Sequence, residues 1–487
     1  MDLSKAFDKV WYEGLLYKLQ SLGIEGDLLL LLTSYLSNRK QRVTLNGQNS
    51  SWLPLKAGVP QGSILGPLLF LIYINDLPDS LDSLAKLFAD DTSLFSVIKN
   101  EQKTSSVLNE DLKKIASWAF QWKMLFNPEQ SKPVQSIIFS KKKEVSFSKT
   151  ISFNERDIKN VECHKHLGLI LDSKLTFQPH VDKQISKVNK GIGLLKKLND
   201  KLPRNSLLTI YKAFIRPHLD YSDIIYDQPL NNSFVNKLES VQYRACLAIT
   251  GAVQGSSKEK LYSELGLESL QNRRWYRRLC TFYKIKTSEH PKYLFDLIPT
   301  QNNYGTRFKN IPQINCRTNF FKNYFFPNAI QEWNNLDPII CNSESLSIFK
   351  RRLLSFIRPA SKSIFNIHDP MGLKMLTRLR LGLSHLSDYK FRHNFQDCIN
   401  PLCSCSLEIE TSEHFLLRCH HFSDIRTTLL NEVSSISSGF SSLSDFSKTN
   451  KLLYGDDKLS FNDNTQLLKA TINYINMSKR FVGPLFI

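Results

Sequence analysis

Apolar positions are most regular between residues 181 and 195, where they recur in alternating steps of four and three. At about 100° per residue, these steps place the apolar side chains on one side of a helix. They are Val181, Ile185, Val188, Ile192 and Leu195. The opposite side carries Lys183, Lys187, Lys190 and Lys197. We predict an amphipathic helix that presents a lysine-rich face to a polyanion, with an ordinary solvated surface as the alternative.

Two short apolar runs flank an acidic pair, Asp90 and Asp91. This pattern predicts a β-hairpin with two carboxylates at its tip. An acidic pair at a turn is most often only turn chemistry. Here the flanking residues are of the buried type, so two like charges would lie at the edge of a packed sheet. A hard divalent cation with oxygen ligands would neutralise them.

Another carboxylate, Asp2, precedes a helix-like pattern that runs to Leu19. An aspartate at the junction of a strand and a helix can supply a metal ligand from a neighbouring strand. Two metal ions about 3.5–4 Å apart are the usual device for in-line phosphoryl transfer. Taken alone, Asp2 fits a helix N-cap better.

Between these acidic segments, residues 57–70 form a pattern of Gly and Pro followed by an apolar run that ends near residues 74–77. The pattern predicts a turn and then a helix. Gln61 and Gly62 combine an amide with a residue that lets the backbone approach a flat ligand closely. An ordinary loop is the alternative.

Composition narrows the class of partner. The chain has 487 residues, of which 41% are hydrophobic and 22% charged, as in globular proteins. Lys and Arg number 64 against 45 Asp and Glu, a formal net charge of +19 that favours nucleic acid or an acidic membrane surface as a partner. The apolar runs are too short for a membrane-spanning helix, so we expect no membrane insertion.

The chain divides by pattern into four zones. Residues 1–140 mix helical and strand patterns, and residues 141–260 begin with a basic stretch and continue into helices. Residues 261–390 are rich in aromatic and basic side chains, and residues 391–487 contain a Cys/His cluster and a serine-rich stretch that we expect to be a loop or linker.

Nine cysteines without a secretion signal do not indicate a disulfide framework. Cys403, Cys405, His414 and Cys419 have the soft donors that suit a tetrahedral structural Zn²⁺. Cys398 could replace one thiolate, and four ordinary buried cysteines are the alternative.

A basic and aromatic segment follows residue 272. Its arginines are Arg273, Arg274, Arg277 and Arg278, and residues 282–286 add further aromatic and lysine side chains. Guanidinium groups bind phosphate and aromatic rings stack on bases, so we predict contact with RNA or DNA. The alternative is a helix with core aromatics and a charged outer face.

Three runs, in this order, carry a family resemblance: Asp2–Val10 (DLSKAFDKV), Gly58–Pro67 (GVPQGSILGP) and Phe88–Asp91 (FADD). Together they resemble the reverse transcriptases of non-LTR retrotransposons, the LINE-type mobile elements, and most closely the jockey-like group. Residues 37–43 also resemble the palm insertion of that family.

The resemblance implies an α+β fold: a right-hand polymerase palm without its fingers, a helical thumb, a mostly helical C-terminal region and a small zinc-knuckle lobe. Asp2, Asp90 and Asp91 match the palm carboxylates that hold two catalytic Mg²⁺ ions. Phe7 matches the bulky residue under the incoming sugar, which excludes ribonucleotides. Gln61 and Gly62 match the loop that contacts the templating pair and the nucleotide.

Further matches extend along the chain. Lys132 matches the lysine that protonates the leaving pyrophosphate, with a surface lysine as the alternative. Residues 166–172 resemble the strand pair that grips the primer end, so the lysine-faced helix would belong to the thumb and contact phosphates. Residues 413–419 resemble the zinc knuckle downstream of the polymerase.

The implied function is RNA-directed DNA synthesis, in which deoxynucleoside triphosphates extend a DNA 3′ end at a nicked target site on an element RNA template. Since only Met1 precedes Asp2, the resemblance also implies upstream fingers, palm strands and an endonuclease, and we expect an N-terminal truncation. The alternative function is a catalytically dead remnant that only binds RNA or DNA. Chromosomal insertion implies nuclear access, although we recognise no targeting signal.

Overall fold

The computed structural model describes residues 1, 3–126, 134–140, 150–300, 311–355, 367–456 and 458–481. The chain divides into two compact units, Met1–Pro179 and His180–Ile487. The division into four zones stays a prediction.

The first unit mixes helices with short strands. Its helices are α1 (Tyr12–Ser21), α2 (Gly26–Leu36), α3 (Leu65–Ile74) and α4 (Glu101–Gln121). Its strands are β1 (Lys40–Gln41), β2 (Thr44–Leu45), β3 (Gln48–Asn49), β4 (Leu53–Pro54), β5 (Leu84–Phe88), β6 (Asp91–Phe95), β7 (Gln135–Ser136), β8 (Ser152–Phe153), β9 (Arg156–Asp157), β10 (Lys159–Asn160), β11 (Cys163–His166) and β12 (Leu169–Asp172).

The predicted hairpin and apolar helix are both present. Strands β5 and β6 pair antiparallel, and β11 pairs antiparallel with β12 in the segment predicted to be a strand pair. Helix α3 covers the apolar run after the Gly/Pro turn. The helix-like pattern between Asp2 and Leu19 is divided, because a single 3-10 turn (Ala6–Asp8) precedes α1.

The core of the first unit packs α1 and α3 against α4 and contains a buried cation. Lys18 of α1 donates from Nζ to the Tyr73 carbonyl and to Asp76 Oδ1, both at 2.6 Å, and its ammonium lies 3.7 Å from the Trp122 ring centroid. Burial lowers the pKa of Lys18, although the Asp76 carboxylate opposes the change. These contacts tie the C-terminal end of α3 to α1 and to the residue that follows α4.

A two-stranded extension, which we name the ribbon (residues 39–55), connects α2 to the turn before α3. Strand β1 pairs with β4 and β2 pairs with β3, all antiparallel. The connecting turn is Asn46-Gly47, with φ of 49° and 79°. Asn-Gly is the preferred pair where both central residues of a hairpin turn need positive φ.

The second unit is helical over its described residues. Its helices are α5 (Gln178–Leu198), α6 (Arg204–Ile210), α7 (Pro217–Asp220), α8 (Asp223–Tyr226), α9 (Asn232–Thr250), α10 (Lys258–Leu265), α11 (Leu270–Ser288), α12 (Lys292–Phe295), α13 (Asn319–Lys322), α14 (Phe325–Asn334), α15 (Pro338–Cys341), α16 (Leu346–Leu354), α17 (Pro370–Leu381), α18 (Ser387–Arg392), α19 (Ser423–Ile436), α20 (Asp445–Tyr454) and α21 (Phe461–Met477). Helix α5, which begins just before the boundary between the units, matches the predicted amphipathic helix.

The serine-rich stretch (residues 434–447) is a loop only in its middle, so the prediction of a loop or linker was wrong for its two helical ends. Helix α19 extends to Ile436, a 3-10 turn covers Phe440–Ser442, and α20 begins at Asp445. Phe440 is buried in the same apolar cluster as Leu429 and Leu452. Ile436 and Leu443 are partly buried against the same cluster, so the apolar residues among the serines pack the stretch against its neighbours. Across the described residues, no helix has both the length and the apolar character needed to cross a bilayer.

Candidate active site and metal centre

The acidic pair lies at the tip of the β5–β6 hairpin. Phe88 and Asp91 form the last cross-strand pair, so Ala89 and Asp90 make the turn, with a φ of 50° at Ala89. Asp90 therefore lies in the turn and Asp91 at the first position of β6, so both carboxylates lie at the same end of the hairpin. The prediction of a hairpin with two carboxylates at its tip is therefore confirmed.

The start of β5 is anchored by a buried carboxylate on α4. Asp111, which has no exposed side-chain surface, accepts hydrogen bonds from the backbone N–H of Asp82 (2.9 Å) and Ser83 (2.8 Å). Burial opposes ionisation of this carboxyl, but the hydrogen bonds from Ser83 and Asp82 and the charge of Lys114 outweigh it and lower the pKa of Asp111. Asp111 thus fixes the base of the hairpin that carries the acidic tip.

The N-terminal segment (residues 1–10) runs beside the hairpin tip. Met1 exchanges two backbone hydrogen bonds with Thr92, each of 2.9 Å, and the Leu3 N–H donates to the Asp90 carbonyl at 3.4 Å. On its other side, Leu3 forms a bridge with Phe126. Strand-like pairing therefore continues from β5 and β6 to Met1 and Leu3 and then to Phe126.

Asp2 and Lys132 lie outside the described residues. Their predicted roles stay predictions. The two neighbours of Asp2 are described, and both are hydrogen-bonded to the hairpin that carries the acidic pair.

The other end of the N-terminal segment holds the glutamine loop (residues 57–64). The Val59 N–H donates to the Phe7 carbonyl at 2.8 Å, and the Gly58 N–H donates to the Val10 carbonyl at 2.9 Å. Gly58 has a φ of 95°, and a Cβ there would lie 2.8 Å from the Asp8 carbonyl oxygen. Only glycine combines this φ with so close an approach of two backbones.

The predicted nucleotide-binding residues meet at this loop. Gln61 donates from Nε2 to Asp8 Oδ1 at 2.8 Å, and Gly62 follows in the same loop. The Phe7 ring stacks on Phe70 of α3, with ring centroids 4.5 Å apart. The N-terminal segment and the glutamine loop are therefore in contact, with Phe7 on the segment and with Gln61 and Gly62 on the loop.

The four lysines of α5 are exposed, as predicted for a lysine-rich face. Lys183, Lys187, Lys190 and Lys197 all lie on the solvent side, while Val181, Val188, Ile192 and Leu195 are buried. Within the described ranges, no carboxylate pairs with any of these four lysines. Their cationic groups are available to an external anion.

Two of the four α11 arginines are buried in an ion-pair network. Arg278 lies 2.6 Å from Asp227 and 2.6 Å from Glu332, and Arg274 lies 3.6 Å from Asp227. The side chains of both arginines are only 4% exposed. These guanidinium groups tie α11 to α14 and to the residue after α8, and they present almost no surface to a phosphate.

The other two arginines are partly exposed but also paired. Arg273 binds Asp220 with two hydrogen bonds of 2.7 and 2.8 Å, and Arg277 lies 2.8 Å from Asp223. Nucleic-acid contact by the four arginines stays a prediction, and their geometry favours the alternative in which α11 packs inside the unit.

The predicted zinc ligands converge. One donor atom from each of Cys403, Cys405, His414 and Cys419 lies within 4.8 Å of all the others. The Cys403 and Cys419 sulfurs are 3.6 Å apart, and Cys405 Sγ is 3.3 Å from His414 Nε2. A tetrahedral Zn²⁺ with ordinary bond lengths has ligand–ligand edges of about 3.6–3.8 Å, so the cluster fits that ion.

The local backbone brings the four donors together. Cys403 and Cys405 lie on a tight turn closed by a hydrogen bond of 2.8 Å from the Ser406 N–H to the Cys403 carbonyl. His414 begins a π-helical turn and Cys419 follows its end. Such turns often occur at functional sites.

Groups around the cluster further specify the ligand set. His414 Nδ1 lies 3.2 Å from Glu408 Oε2, an arrangement that orients the ring and leaves Nε2 for a metal. The Cys398 thiol instead donates to the carbonyls of Ser387 and Asn400, at 3.4 and 3.1 Å. Among the described residues, the geometry favours the Cys403 set without Cys398.

Three positioning residues were not found from the sequence. Asp8 lies inside a quoted motif but had no assigned role, Asp111 looks like an ordinary polar residue of an amphipathic helix, and Glu408 lies in a polar turn. Asp8 could have been inferred from its place one residue after Phe7. The contacts of Asp111 and Glu408 depend on folding and left no signal in spacing.

Comparison with known proteins agrees with this geometry. Residues 1–169 match the family described as reverse transcriptase (RNA-dependent DNA polymerase). The chain is 30% identical over 305 residues to the "RNA-directed DNA polymerase from mobile element jockey" of Drosophila melanogaster, covering 60% of this chain and 32% of that protein.

Two other relatives point the same way. The jockey polymerase of Drosophila funebris is 28% identical over 309 residues, covering 60% of this chain and 32% of that protein. The "Probable RNA-directed DNA polymerase from transposon X-element" of Drosophila melanogaster is 29% identical over 279 residues, covering 55% of this chain and 30% of that protein. The chain thus spans about a third of the length of the curated relatives it matches.

These matches confirm the family predicted from the motifs, and the hairpin, glutamine loop and N-terminal segment fit the palm of a polymerase. Residues 1–169 therefore match a reverse transcriptase domain, and the chain is similar to the RNA-directed DNA polymerases of LINE-type, non-LTR elements.

Proposed function

We propose that this chain contributes the palm of an RNA-directed DNA polymerase that extends a DNA 3′ end on an element RNA template, at a nicked target site. The main support is the pairing of Met1 with Thr92 and of Leu3 with Asp90. This pairing holds Met1 and Leu3, the two neighbours of Asp2 in the sequence, beside the turn and strand that contain Asp90 and Asp91. The relatives' names add support, since each is called an RNA-directed DNA polymerase.

Asp2, Asp90 and Asp91 are the proposed ligands of two Mg²⁺ ions. Carboxylate oxygens are the hard donors that Mg²⁺ prefers, so the donor set fits the ion. When bound, the metal pair would activate the attacking hydroxyl and neutralise charge on the triphosphate.

The reaction joins the primer to the incoming nucleotide. The primer 3′ oxygen forms a bond to the α-phosphorus, the bond from that phosphorus to the β-phosphate oxygen breaks, and pyrophosphate leaves. The hydroxyl proton is lost from the primer, and Lys132 is the proposed proton donor to pyrophosphate.

The remaining predicted residues select and hold the nucleotide. Phe7, stacked on Phe70, is proposed to lie under the sugar and clash with a 2′-hydroxyl. Gln61 and Gly62 are proposed to contact the templating pair, with Asp8 orienting the Gln61 amide. The exposed α5 lysines are proposed to follow the phosphates of the bound duplex as part of a thumb.

The Cys/His cluster is proposed to hold a structural Zn²⁺. Three thiolates and one imidazole match the soft ligands of a closed zinc site. The bound ion would order residues 398–422 as a small lobe that contacts template RNA or target DNA.

A primer-extension assay tests the polymerase proposal. The 487-residue chain is incubated with an RNA template, an annealed DNA primer, deoxynucleoside triphosphates and Mg²⁺. We expect extension in the parent chain and in Asp27→Asn, an exposed carboxylate of α2, and at least a hundredfold loss in Asp90→Asn. Unchanged RNA binding with no extension in the parent chain would contradict the proposal and support the non-catalytic RNA-binding alternative.

A further inference from the structure

The ribbon is exposed on both of its faces. Every residue from Lys40 to Pro54 is solvent-exposed, including Val43 (69%), Leu45 (70%) and Trp52 (56%). A two-stranded hairpin without a packed face is only marginally stable in water. A ribbon of this kind is therefore expected to be completed by something that it binds.

The register of the ribbon shifts by one residue between its two halves. Lys40 pairs with Pro54 and Gln41 with Leu53, whereas Thr44 pairs with Asn49. The returning strand therefore has one extra residue at positions 50–52, which is a β-bulge. At this bulge the Arg42 guanidinium lies 4.6 Å from the centroid of the Trp52 ring.

One face of the ribbon combines cationic, aromatic and polar groups. Cross-strand partners share a face, and residues two apart along a strand lie on the same side. Lys40, Arg42 and Trp52 therefore share one face, while Gln41, Val43 and Leu53 share the other. The exposed indole and guanidinium form a flat surface beside a flexible ammonium group.

All charged residues in the segment that contains the ribbon have the same sign. From Leu28 to Asn75 the sequence contains no Asp or Glu, and its charged residues are Arg39, Lys40, Arg42 and Lys56. Among the described residues, none of these four cations forms an ion pair. A surface with only positive charge complements a polyanion and repels a basic protein partner.

The ribbon leads directly into the glutamine loop. The Leu55 N–H donates to the Arg39 carbonyl at 2.8 Å and closes the base of the ribbon. Gly58, only three residues later, contacts the N-terminal segment. Three residues span at most about 10 Å, so the base of the ribbon lies close to the proposed nucleotide site.

We infer that the Lys40–Arg42–Trp52 face docks on the RNA–DNA duplex held at this site. The inference rests on the proposed function, because the template and primer form that duplex. Two-stranded ribbons of this width enter nucleic-acid grooves, and the wide, shallow minor groove of an A-like duplex exposes sugars to flat side chains. Lys40 and Arg42 bind phosphates, and Trp52 lies against the sugars and base edges.

The test measures binding of a labelled RNA–DNA duplex to the full chain. We expect Arg42→Ala/Trp52→Ala to weaken binding about tenfold or more, since the double variant removes a phosphate contact and the aromatic surface that lies against the sugars. We expect Lys40→Gln/Arg42→Gln to reduce the slope of log affinity against log salt by about 2. The matched control is Val43→Ala/Leu53→Ala on the opposite face, which should bind as the parent chain does.

Unchanged affinity and salt slope in both basic-face variants would overturn the inference. A loss of duplex binding confined to Val43→Ala/Leu53→Ala would also overturn it, because the opposite face of the ribbon would then be the one that contacts the duplex. Circular dichroism of each variant shows whether it is folded, and folding is expected because these side chains are exposed.

Failure of the inference can be told apart from failure of the proposed function. If the parent chain extends primers and the ribbon variants extend them with unchanged KM for the duplex, the ribbon inference fails and the polymerase stands. If the parent chain binds the duplex through the ribbon but never extends a primer, the polymerase fails and the ribbon inference stands.

Discussion

The contact between Gly58 and Asp8 depends on the absence of a Cβ atom at Gly58. The glutamine loop approaches the N-terminal segment so closely at Gly58 that there is no room for a side chain at this position. Gln61 can reach Asp8 only because of this approach. One missing methyl group therefore sets the position of the proposed nucleotide contacts.

Gly58→Ala should displace the glutamine loop. Its Cβ would lie 2.8 Å from the Asp8 carbonyl at a φ of 95°, and strain of this kind costs about 1–3 kcal/mol. We expect lower stability of the first unit and a raised KM for deoxynucleotides in primer extension. Gly23→Ala is the control, because its φ of 82° imposes a similar backbone strain but nothing lies within 4 Å of the added atom. Equal effects of both substitutions would argue against the close approach as the cause.

Asp111 gives the hairpin a predictable dependence on pH. Its pKa is lowered in the folded state, so its stabilising contribution is present above the unfolded pKa of about 3.9 and is lost as pH falls through the folded value. Asp111→Asn should destabilise the hairpin by about 1–3 kcal/mol at pH 7, and the difference should shrink below pH 4. Hydrogen exchange of the β5 and β6 amides measures the effect.

Asp82→Asn serves as the comparison for Asp111→Asn. Asp82 pairs with Lys114 at the surface, where its side chain is 68% exposed, and such pairs contribute at most about 1 kcal/mol. An Asp111→Asn variant that exchanges at the parent rate at pH 7 would show that the buried carboxylate does not anchor the hairpin.

At the scale of elements, patterns within a short segment correctly predicted the structures that depend on contacts within that segment. The three-and-four spacing predicted α5, and the paired apolar runs predicted β5 and β6. The spacing of Cys403, Cys405, His414 and Cys419 predicted a cluster, because the ligands lie within one short segment.

Long-range partners account for what the sequence did not reveal. The arginines of α11 form a basic run in sequence, yet Asp227 and Glu332, which pair with Arg278, lie more than 50 residues away on either side. Net charge counted along a window cannot detect such partners. In the same way, burial of Phe440 depends on residues of other helices, and the serines around it hide that packing.

Removing zinc should unfold the knuckle region alone. Ligand binding at a structural site supplies folding free energy, so a chelator should raise proteolysis within residues 398–422 and leave the first unit intact. Cys403→Ser should reduce bound zinc, measured by metal analysis, to well below one ion per chain. Cys398→Ser should keep a full complement, because its thiol bonds to carbonyls outside the cluster. If Cys403→Ser kept its zinc and Cys398→Ser lost it, Cys398 would replace Cys403 in the assigned ligand set.

At the scale of the whole molecule, the basic residues differ in whether a carboxylate of the same chain pairs with them. The chain carries a net charge of +19, but the α11 arginines are neutralised by internal carboxylates. The unpaired lysines of α5 and the cations near the ribbon are better placed to act on a distant polyanion. Counting basic residues therefore overestimates the nucleic-acid surface unless their partners are known.

Replacing the four α5 lysines with Gln should weaken RNA binding in a salt-dependent way. Each phosphate contact on a single strand contributes about 0.7 to the slope of log affinity against log salt, so the quadruple variant should lose about 3. Titration of a single-stranded RNA at several salt concentrations measures the slope. The control replaces Lys390 and Lys451, which pair with Asp397 and Asp456 and should leave the slope unchanged. Similar slopes in the parent and quadruple variant would exclude α5 from the RNA-binding surface.

The N-terminal segment joins the acidic tip at one end and the glutamine loop at the other. Its length in residues therefore acts as a spacer between the proposed metal ligands and the proposed nucleotide contacts. One residue inserted between Ser4 and Lys5 would shift one end against the other by up to about 3.5 Å, while misplacement of about 1 Å can already cost a hundredfold in rate. We therefore expect activity to survive an insertion at the exposed Asn46-Gly47 turn and to be lost on an insertion in the N-terminal segment. Related chains can then vary in the length of that turn, but not in the number of residues between the acidic tip and the glutamine loop.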